Sequence, residues 1–243
     1  MKKVLFGLKK IKKISVFKFI KYNYLTRGVI RNKGAFIIPY KHAVLEIRRN
    51  GKWVVEKTLH FGINRLVGSS AEARVRIKEG GKWICHGDVL LFTESFIDVH
   101  ENAVFESGFF SINAGSVVVC GKHIKFGEDV MIGREVTIYD SDFHQVLDEK
   151  GNPGNFSKDV IIGNKVWLTN KIAVLKGVTI GDGALISAMS FVRKDVPSHC
   201  LAGGNPLKVI KDEIMWNRDS ICEYEQNRDY VCDIQNRGLS YED

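Results

Sequence analysis

The second half of the sequence repeats with a period of six residues. Its first block has five leading positions: Ala114, Cys120, Phe126, Ile132 and Ile138. Glycine follows the first four, and a small or β-branched residue lies four positions beyond each of them: Val118, Ile124, Val130 and Val136. The second block has aliphatic leading residues and mostly small or β-branched fifth positions: Ile162, Leu168, Val174, Ile180, Ile186 and Val192, with Val166, Ile172, Val178, Ala184, Ser190 and Val196. No other feature constrains the fold as strongly.

This period matches neither an α-helix, which repeats every 3.6 residues, nor a single strand, which repeats every 2. It fits a coil in which each short strand is followed by a turn, so that the leading residue faces inward and stacks on its equivalent in the next coil. Glycine after the leading residue allows turn conformations that a side chain hinders. Because no single turn of such a stack is stable alone, the pattern predicts a solenoid with one continuous apolar column.

A polar segment, residues 139–160, interrupts the repeat and carries His144. Ile138 and Ile162 are separated by a multiple of six residues, which indicates that the coil resumes in register and that the loop projects outward. Loops on a rigid scaffold commonly carry substrate-facing side chains. The interruption therefore marks His144 as a candidate functional residue.

The flanking segments have other patterns. Short strands broken by Gly, Asn and charged turns are predicted over residues 34–105. Residues 1–25 place apolar residues at spacings of three to four among lysines, which predicts a basic amphipathic helix. This helix either attaches to an anionic membrane surface or packs on its own body with the lysines in water. We therefore divide the chain into a basic N-terminal arm (1–30), a β-helix domain (31–211) and a C-terminal extension (212–243) that is helical around "DEIMWNRD".

Charge and cysteine content limit the function classes. The net charge is +8, but no acidic residue occurs between Met1 and Leu45, so the excess belongs to one end and a nucleic-acid-binding body is not implied. The five scattered cysteines form no CxxC pair and suggest neither a disulfide framework nor a zinc knuckle. With no apolar run of transmembrane length and no signal-peptide pattern, we expect a cytoplasmic protein, with peripheral contact at the inner face of the membrane as an option.

Two stretches resemble a known family, the hexapeptide-repeat acyltransferases: residues 160–211, which begin "VIIGNKVWLTNKIAV", and the segment "MIGREVTIYDSDFH". The similarity is to sugar O-acetyltransferases of the maltose/galactoside type, and more closely to the branch found in bacterial polysaccharide biosynthesis. It covers residues 105–212 and extends loosely over 30–104. It implies an all-β, left-handed parallel β-helix with three strands per coil and short helical N- and C-terminal extensions. It also implies acetyl-coenzyme A as the donor and a homotrimer with active sites between subunits.

The chemistry that follows is direct transfer of an acetyl group to a sugar hydroxyl of a glycan or a cell-surface polysaccharide precursor, without an acyl-enzyme. A histidine, with an ordinary pKa of about 6.5, is suited to remove the hydroxyl proton, and general base catalysis contributes roughly 10²–10⁴-fold. We assign this role to His144. Asp140 and Asp142 lie nearby in sequence and are candidates to orient its ring or to contact a sugar hydroxyl. The resemblance suggests Asn113 as a further acceptor contact.

The resemblance also suggests where the donor binds. Its pantetheine arm is expected to meet backbone groups near Asn170 and Ala188, beside Trp167, which is alternatively a packing aromatic at a subunit contact. The phosphates at the nucleotide end of the donor require cations, and both lysine and arginine bind phosphate. Four residues match that role: Arg193, Lys194, Lys208 and Lys211. No metal site is predicted.

Other functions stay open on this sequence. An N-acetyltransferase acting on a nucleotide-linked amino sugar would use the same donor and a histidine base. A non-catalytic trimeric scaffold would need the apolar column but neither His144 nor the basic residues. A γ-class carbonic anhydrase on the same coil needs three histidine ligands for zinc, two of them close in sequence, and the chain has no such pair. Serine acetyltransferases carry a helical N-terminal domain, whereas residues 30–104 have a β pattern.

Overall fold

The fold consists of short strands stacked into three sheets. A computed structural model defines residues 14–65 and 68–219, so parts of the predicted N-terminal arm and C-terminal extension lie outside the described residues. The first sheet contains β1 (Val29–Arg31), β4 (Lys52–Val55), β7 (Lys82–Cys85), β10 (Val104–Ser107), β13 (His123–Phe126), β16 (Val160–Ile162) and β19 (Thr179–Ile180). The second contains β2 (Ile37–Pro39), β5 (Leu59–Ile63), β8 (Val89–Phe92), β11 (Phe110–Ile112), β14 (Val130–Ile132), β17 (Trp167–Leu168), β20 (Leu185–Ile186), β22 (Leu201–Gly203) and β23 (Lys208–Lys211). The third contains β3 (Ala43–Ile47), β6 (Ala73–Ile77), β9 (Phe96–Val99), β12 (Val117–Cys120), β15 (Thr137–Tyr139), β18 (Ala173–Val174) and β21 (Phe191–Val192).

From β1 to β21, successive strands visit the three sheets in rotation, so three strands and three corners make one coil. Strands in adjacent coils pair in parallel, and an antiparallel pair of β22 with β23 ends the stack. The predicted class, an all-β, left-handed parallel β-helix, is confirmed. We call the corner between the second and third sheets, which contains Asn170 and Ala188, the second corner. The corner between the third and first sheets, which carries the loop 140–159, is the third corner.

Two residues of each six-residue unit face the interior. The leading and fifth residues of both repeat blocks are buried, except that Ala114, the first leading residue, is only half-buried. The stacking is direct, because Ile132, Leu168 and Ile186 pair in register across β14, β17 and β20. The predicted apolar column is therefore present.

Close approach between coils explains most of the glycines after the leading residues. Gly115 has a positive φ of 75°, as the turn argument predicted, but Gly121, Gly127 and Gly133 do not. A Cβ added at Gly133 would lie 1.5 Å from the carbonyl oxygen of Thr169 in the next coil. The turn explanation is therefore wrong for these three glycines. The described residues other than glycine that have a positive φ are mostly polar.

A short helix closes the N-terminal end of the coil. It consists of α1 (Val16–Ile20) and a π-helix (Lys21–Leu25), so the helix predicted within residues 1–25 is confirmed for its second half. Asn23 fastens it, because its Nδ2 donates to the carbonyl oxygen of Ile37 at 2.7 Å and its Oδ1 accepts from the N–H of Ile37 at 2.9 Å. Among the described residues, no helix is both long enough and apolar enough to cross a bilayer.

The described part of the C-terminal extension, residues 212–219, runs back along the coil as an extended segment that we call the strap. No helix occurs over Asp212–Asp219, so the helix predicted around these residues is wrong. Trp216 Nε1 donates to the carbonyl oxygen of Lys165 at 2.9 Å, and Arg218 Nε donates to Asp129 Oδ1 at 2.5 Å. These contacts with the coil hold the segment extended and override its local helical pattern.

Candidate active site

A clamped loop presents His144 at the third corner. Asn155 connects several parts of the loop by hydrogen bonds. Its Nδ2 donates at 2.8 Å both to Asp142 Oδ2 and to the carbonyl oxygen of His144. The Oδ1 of Asn155 accepts from the N–H of Val146 at 2.7 Å. Lys176, from the next coil, donates its Nζ to Asp142 Oδ2 at 2.5 Å and to the carbonyl oxygen of Asn155 at 3.0 Å. The loop is therefore fixed both internally and against the coil.

The imidazole of His144 is exposed. Its backbone N–H donates to the carbonyl oxygen of Asp142 at 2.7 Å, but no side chain in the described ranges bonds to its ring. The Asp142 carboxylate is turned toward Lys176, and the hydrogen bonds from Lys176 and Asn155 lower the pKa of Asp142. Asp142 therefore shapes the loop, while the ring nitrogens of His144 are left to contact an acceptor.

Phe143 fastens the loop to the coil. Its φ is +60°, and its ring centroid lies 4.5 Å from that of His100 and 6.1 Å from that of Tyr139. Gly121 makes room for it, because a Cβ there would lie 3.0 Å from Phe143 Cε1. A left-handed backbone is an outlier for a bulky residue, so packing must hold this conformation. The contact with His100 thereby orients the backbone that carries His144.

An ion pair on Asp98 supports His100. Arg76 Nε donates to Asp98 Oδ1 at 2.9 Å and its second nitrogen to Oδ2, which raises the pKa of Arg76. His100 Nε2 lies 3.3 Å from the buried Asp98, and Lys78 Nζ lies 3.1 Å from His100 Nδ1. Because an ammonium group can only donate, His100 accepts at Nδ1 and donates from Nε2. Burial lowers the pKa of His100, which favours this neutral form. No sequence motif marks His100, and sequence reasoning missed its role.

Two predicted acceptor contacts are engaged within the coil. Asp140 is fully buried, and its two carboxylate oxygens accept from the N–H groups of Gly121 at 2.5 Å and Lys122 at 2.8 Å. Asn113 lies at the second corner, where its Nδ2 donates to a backbone carbonyl oxygen of the next coil at 3.0 Å. Within one chain, Asp140 therefore braces the turn at the base of the loop, and Asn113 belongs to a different corner from His144.

The second corner brings Asn170 and Ala188 together. They follow β17 and β20 in adjacent coils, both are exposed, and their backbone N–H groups find no acceptor in the described part of the chain. Asn170 Oδ1 accepts from the N–H of Arg134 at 2.9 Å, and its carbonyl oxygen accepts from the N–H of Met189 at 3.0 Å. A shallow groove of about 430 Å³, lined in part by Lys171 and Met189, runs beside them. Free donors beside a groove are suited to bind carbonyl groups of an extended ligand.

Trp167 lies on the outer side of β17, close to this corner. Its ring packs against Trp216 of the strap, with 5.7 Å between centroids and an angle of 50° between planes. Trp216 is buried by the contact, whereas Trp167 stays half-buried. The packing partner found here is therefore in the same chain, and the strap covers one side of the predicted donor site.

The four predicted phosphate-binding cations share one end of the coil but not one face. Arg193 and Lys194 follow β21 at the third corner, whereas Lys208 and Lys211 lie on β23 at the edge of the second sheet. All four are exposed. Within residues 14–65 and 68–219, no three His, Cys, Asp or Glu side chains are grouped so that they could hold a metal ion.

Comparison with known proteins identifies relatives that act on sugars. The chain is 37% identical over 115 residues to the polysialic acid O-acetyltransferase of Escherichia coli O1:K1 / APEC, a match that spans 46% of this chain and 38% of the relative. It is 32% identical over 137 residues to the galactoside O-acetyltransferase of Escherichia coli K12, spanning 50% of this chain and 66% of the relative. The chain thus matches less than two thirds of the length of either protein.

No protein-family model matches the chain. Among solved structures, the polySia-specific acetyltransferase NeuO superposes with a TM-score of 0.53 and 24% identity, over 86% of this chain and 100% of NeuO. At this level of identity the superposition shows the fold. The resemblance predicted from the sequence is confirmed: the chain is similar to sugar O-acetyltransferases and has the β-helix fold of the hexapeptide-repeat acetyltransferases.

Proposed function

We propose that this protein transfers an acetyl group from acetyl-coenzyme A to a sugar hydroxyl of a glycan or a cell-surface polysaccharide precursor. The observation that carries the proposal is the His144 imidazole, which is exposed, has no ring partner within residues 14–65 and 68–219, and is held on a loop that Asn155 and Lys176 fix against the coil. The two Escherichia coli relatives described above, both sugar O-acetyltransferases, support the substrate class.

In the proposed reaction a ring nitrogen of His144 removes the hydroxyl proton as the acceptor oxygen attacks the thioester carbonyl carbon. The carbon–sulfur bond then breaks, and the coenzyme A thiolate takes up the proton from the imidazolium. The products are an acetyl ester and free coenzyme A, and no acyl-enzyme forms. Asp142, with its carboxylate held by Lys176, keeps the loop in place and is an additional candidate for contact with the acceptor.

The donor is proposed to lie along the second corner. The unpaired backbone N–H groups of Asn170 and Ala188 would bind carbonyl groups of the pantetheine arm, with the half-buried Trp167 alongside. The phosphates would be held at the C-terminal end of the coil by exposed cations: Arg193, Lys194, Lys208 and Lys211. Because the donor is made inside the cell, we also propose a cytoplasmic location and a role in polysaccharide biosynthesis.

A homotrimer would complete this site. Asn170 at the second corner and Lys176 under the loop at the third corner are six residues apart, which is roughly 20 Å of extended chain at 3.3 Å per residue. The donor groove and the loop that carries His144 therefore lie at opposite ends of one side of the coil, and a neighbouring subunit is proposed to bring them together. If the third corner of each subunit packs against the second corner of the next, and the rotation between subunits is threefold, the three subunits would form a closed ring. The same rotation would bring Asn113, which lies at the second corner, toward His144.

The proposal is tested by incubating the protein with acetyl-coenzyme A and a panel of acceptors that includes polysialic acid, galactosides and nucleotide-linked amino sugars. Thiol release and the mass of the acceptor are measured. We expect release that depends on a hydroxyl acceptor and a product that alkali hydrolyses, as it does an ester. An alkali-stable amide on an amino sugar would favour N-acetylation instead. No release with any acceptor, together with no donor binding, would favour a scaffold.

A further inference from the structure

An exposed apolar surface lies at the N-terminal end of the coil, far from the proposed active site in the stacking order. Five side chains of α1 and the π-helix are between 49% and 76% exposed: Val16, Phe17, Ile20, Tyr24 and Leu25. Ile30, on the adjacent β1, is 49% exposed. Contiguous exposed apolar side chains of this size mark an interaction site more often than an ordinary surface.

The exposure is not a sign of a loosely attached helix. On the opposite side of the helix, Tyr22 is buried and its hydroxyl donates to the carbonyl oxygen of Ala43 at 3.1 Å. Lys18 Nζ donates at 2.7 Å to the carbonyl oxygens of both Lys41 and Ala43. The helix is therefore docked by its polar and aromatic side, and its apolar side is presented outward.

Cations line a groove that reaches one of these apolar side chains, Ile30. The groove has a volume of about 640 Å³, and its cations are Arg27, Arg48, Arg49 and Lys52. Arg48 pairs with Glu46 at 2.6 Å, but Arg27, Arg49 and Lys52 form no ion pair with a described residue. The first 45 residues contain no acidic residue, and lysines recur through the first 13. The groove itself is lined by four cations and no acidic residue.

We propose that this N-terminal end face docks on an anionic lipid bilayer. The face consists of the six apolar residues and three cations of the groove: Val16, Phe17, Ile20, Tyr24, Leu25, Ile30, Arg27, Arg49 and Lys52. Aromatic and aliphatic side chains flanked by Lys and Arg bind at the level of lipid headgroups, where the surface potential is negative. A second copy of this chain is disfavoured as the partner of the face, because two such faces in contact would bring like charges together. The inference does not depend on the proposed acetyl transfer.

Sedimentation with vesicles tests the inference. The full-length protein is mixed with phosphatidylcholine vesicles, with or without phosphatidylglycerol, and we expect binding only when the anionic lipid is present. The double variants Phe17→Ser/Leu25→Ser and Arg27→Glu/Arg49→Glu are each expected to bind at least about tenfold more weakly, because each cation near the surface and each buried methylene contributes on the order of 1 kcal/mol. Circular dichroism checks that the variants fold.

Two matched controls keep the test specific. Met215→Ser changes a 90%-exposed apolar residue of the strap, and Lys125→Glu reverses an exposed cation on β13. Both are expected to bind like the wild type. Wild-type binding by the two double variants, or no binding by the wild type, would overturn the inference. A second copy would be the occupant instead if light scattering showed an assembly that the double variants dissolve without any change in vesicle binding.

Discussion

Replacing Asn155 by alanine is expected to slow acetyl transfer without destabilising the coil. The side chain makes three hydrogen bonds of 2.7–2.8 Å, which join Asp142, the backbone of His144 and Val146. A hydrogen bond contributes about 0.5–1.5 kcal/mol, and because these lie at the surface we use the lower end. The clamped loop then loses about 1.5 kcal/mol, which lowers its equilibrium constant for clamping by about tenfold and kcat by up to about that factor. None of the three bonds belongs to a strand ladder.

The assay is thiol release at saturating acetyl-coenzyme A, with thermal unfolding measured in parallel. Asn155→Ala should lower kcat while Tm falls by no more than about 3–6 °C, since 1 kcal/mol corresponds to about 2–4 °C in a chain of this size. Asn152→Ala is the matched control, because its side chain makes one bond of 3.1 Å, to Asp148 at the tip of the same loop, and none to His144. Equal effects of the two substitutions, or a wild-type kcat for Asn155→Ala, would refute the idea that this clamp positions the base.

Two further substitutions test the packing and the electrostatics of the coil. Gly133→Ala should lower the free energy of unfolding by about 3 kcal/mol or more, because the new Cβ would meet the Thr169 carbonyl oxygen. Gly154→Ala is the control and should not lower it, because no atom lies within 4 Å of a Cβ at that position. Denaturant titration compares the two variants. Lys176→Met should return the pKa of Asp142 toward its ordinary value of about 3.9, as NMR titration would show. With its pKa lowered, ionised Asp142 stabilises the loop at pH values above its ordinary pKa, and this stabilisation is lost as the pH falls through the pKa of the folded state. Wild type and variant should therefore differ in activity at neutral pH. Equal activities there would contradict this role of Lys176.

The repeat predicted the fold in those coils whose inward-facing residues recur every six positions along the sequence. Trp167 and Leu185 occupy equivalent positions 18 residues apart, which is three units of six, and there the sequence shows the period. Trp53 and Trp83 are also equivalent, but 30 residues apart, because the strands of that coil are longer and one connection, residues 64–72, is long. For those coils the spacing predicted strands, and their place in the β-helix domain rested on the looser resemblance over residues 30–104.

The site was predictable in part for a related reason. His144 stood out because its loop interrupts a regular pattern. The contact between Phe143 and His100 joins residues 43 positions apart and requires a left-handed φ, so no local pattern could indicate it. The strap is a similar case. Arg218 Nη1 donates to Ser111 Oγ, which lies 107 positions earlier in the sequence, and that contact outweighs the local helical preference.

The turnover of His144→Ala tests the proposed base most directly. The variant is compared with the wild type and with His86→Ala, which changes a histidine whose side chain is 47% exposed on another part of the coil. We predict that His144→Ala keeps the proposed trimer and the donor affinity but loses most of its turnover, by roughly 10²–10⁴-fold, while His86→Ala is unaffected. Full activity in His144→Ala would contradict the assignment of this imidazole as the base.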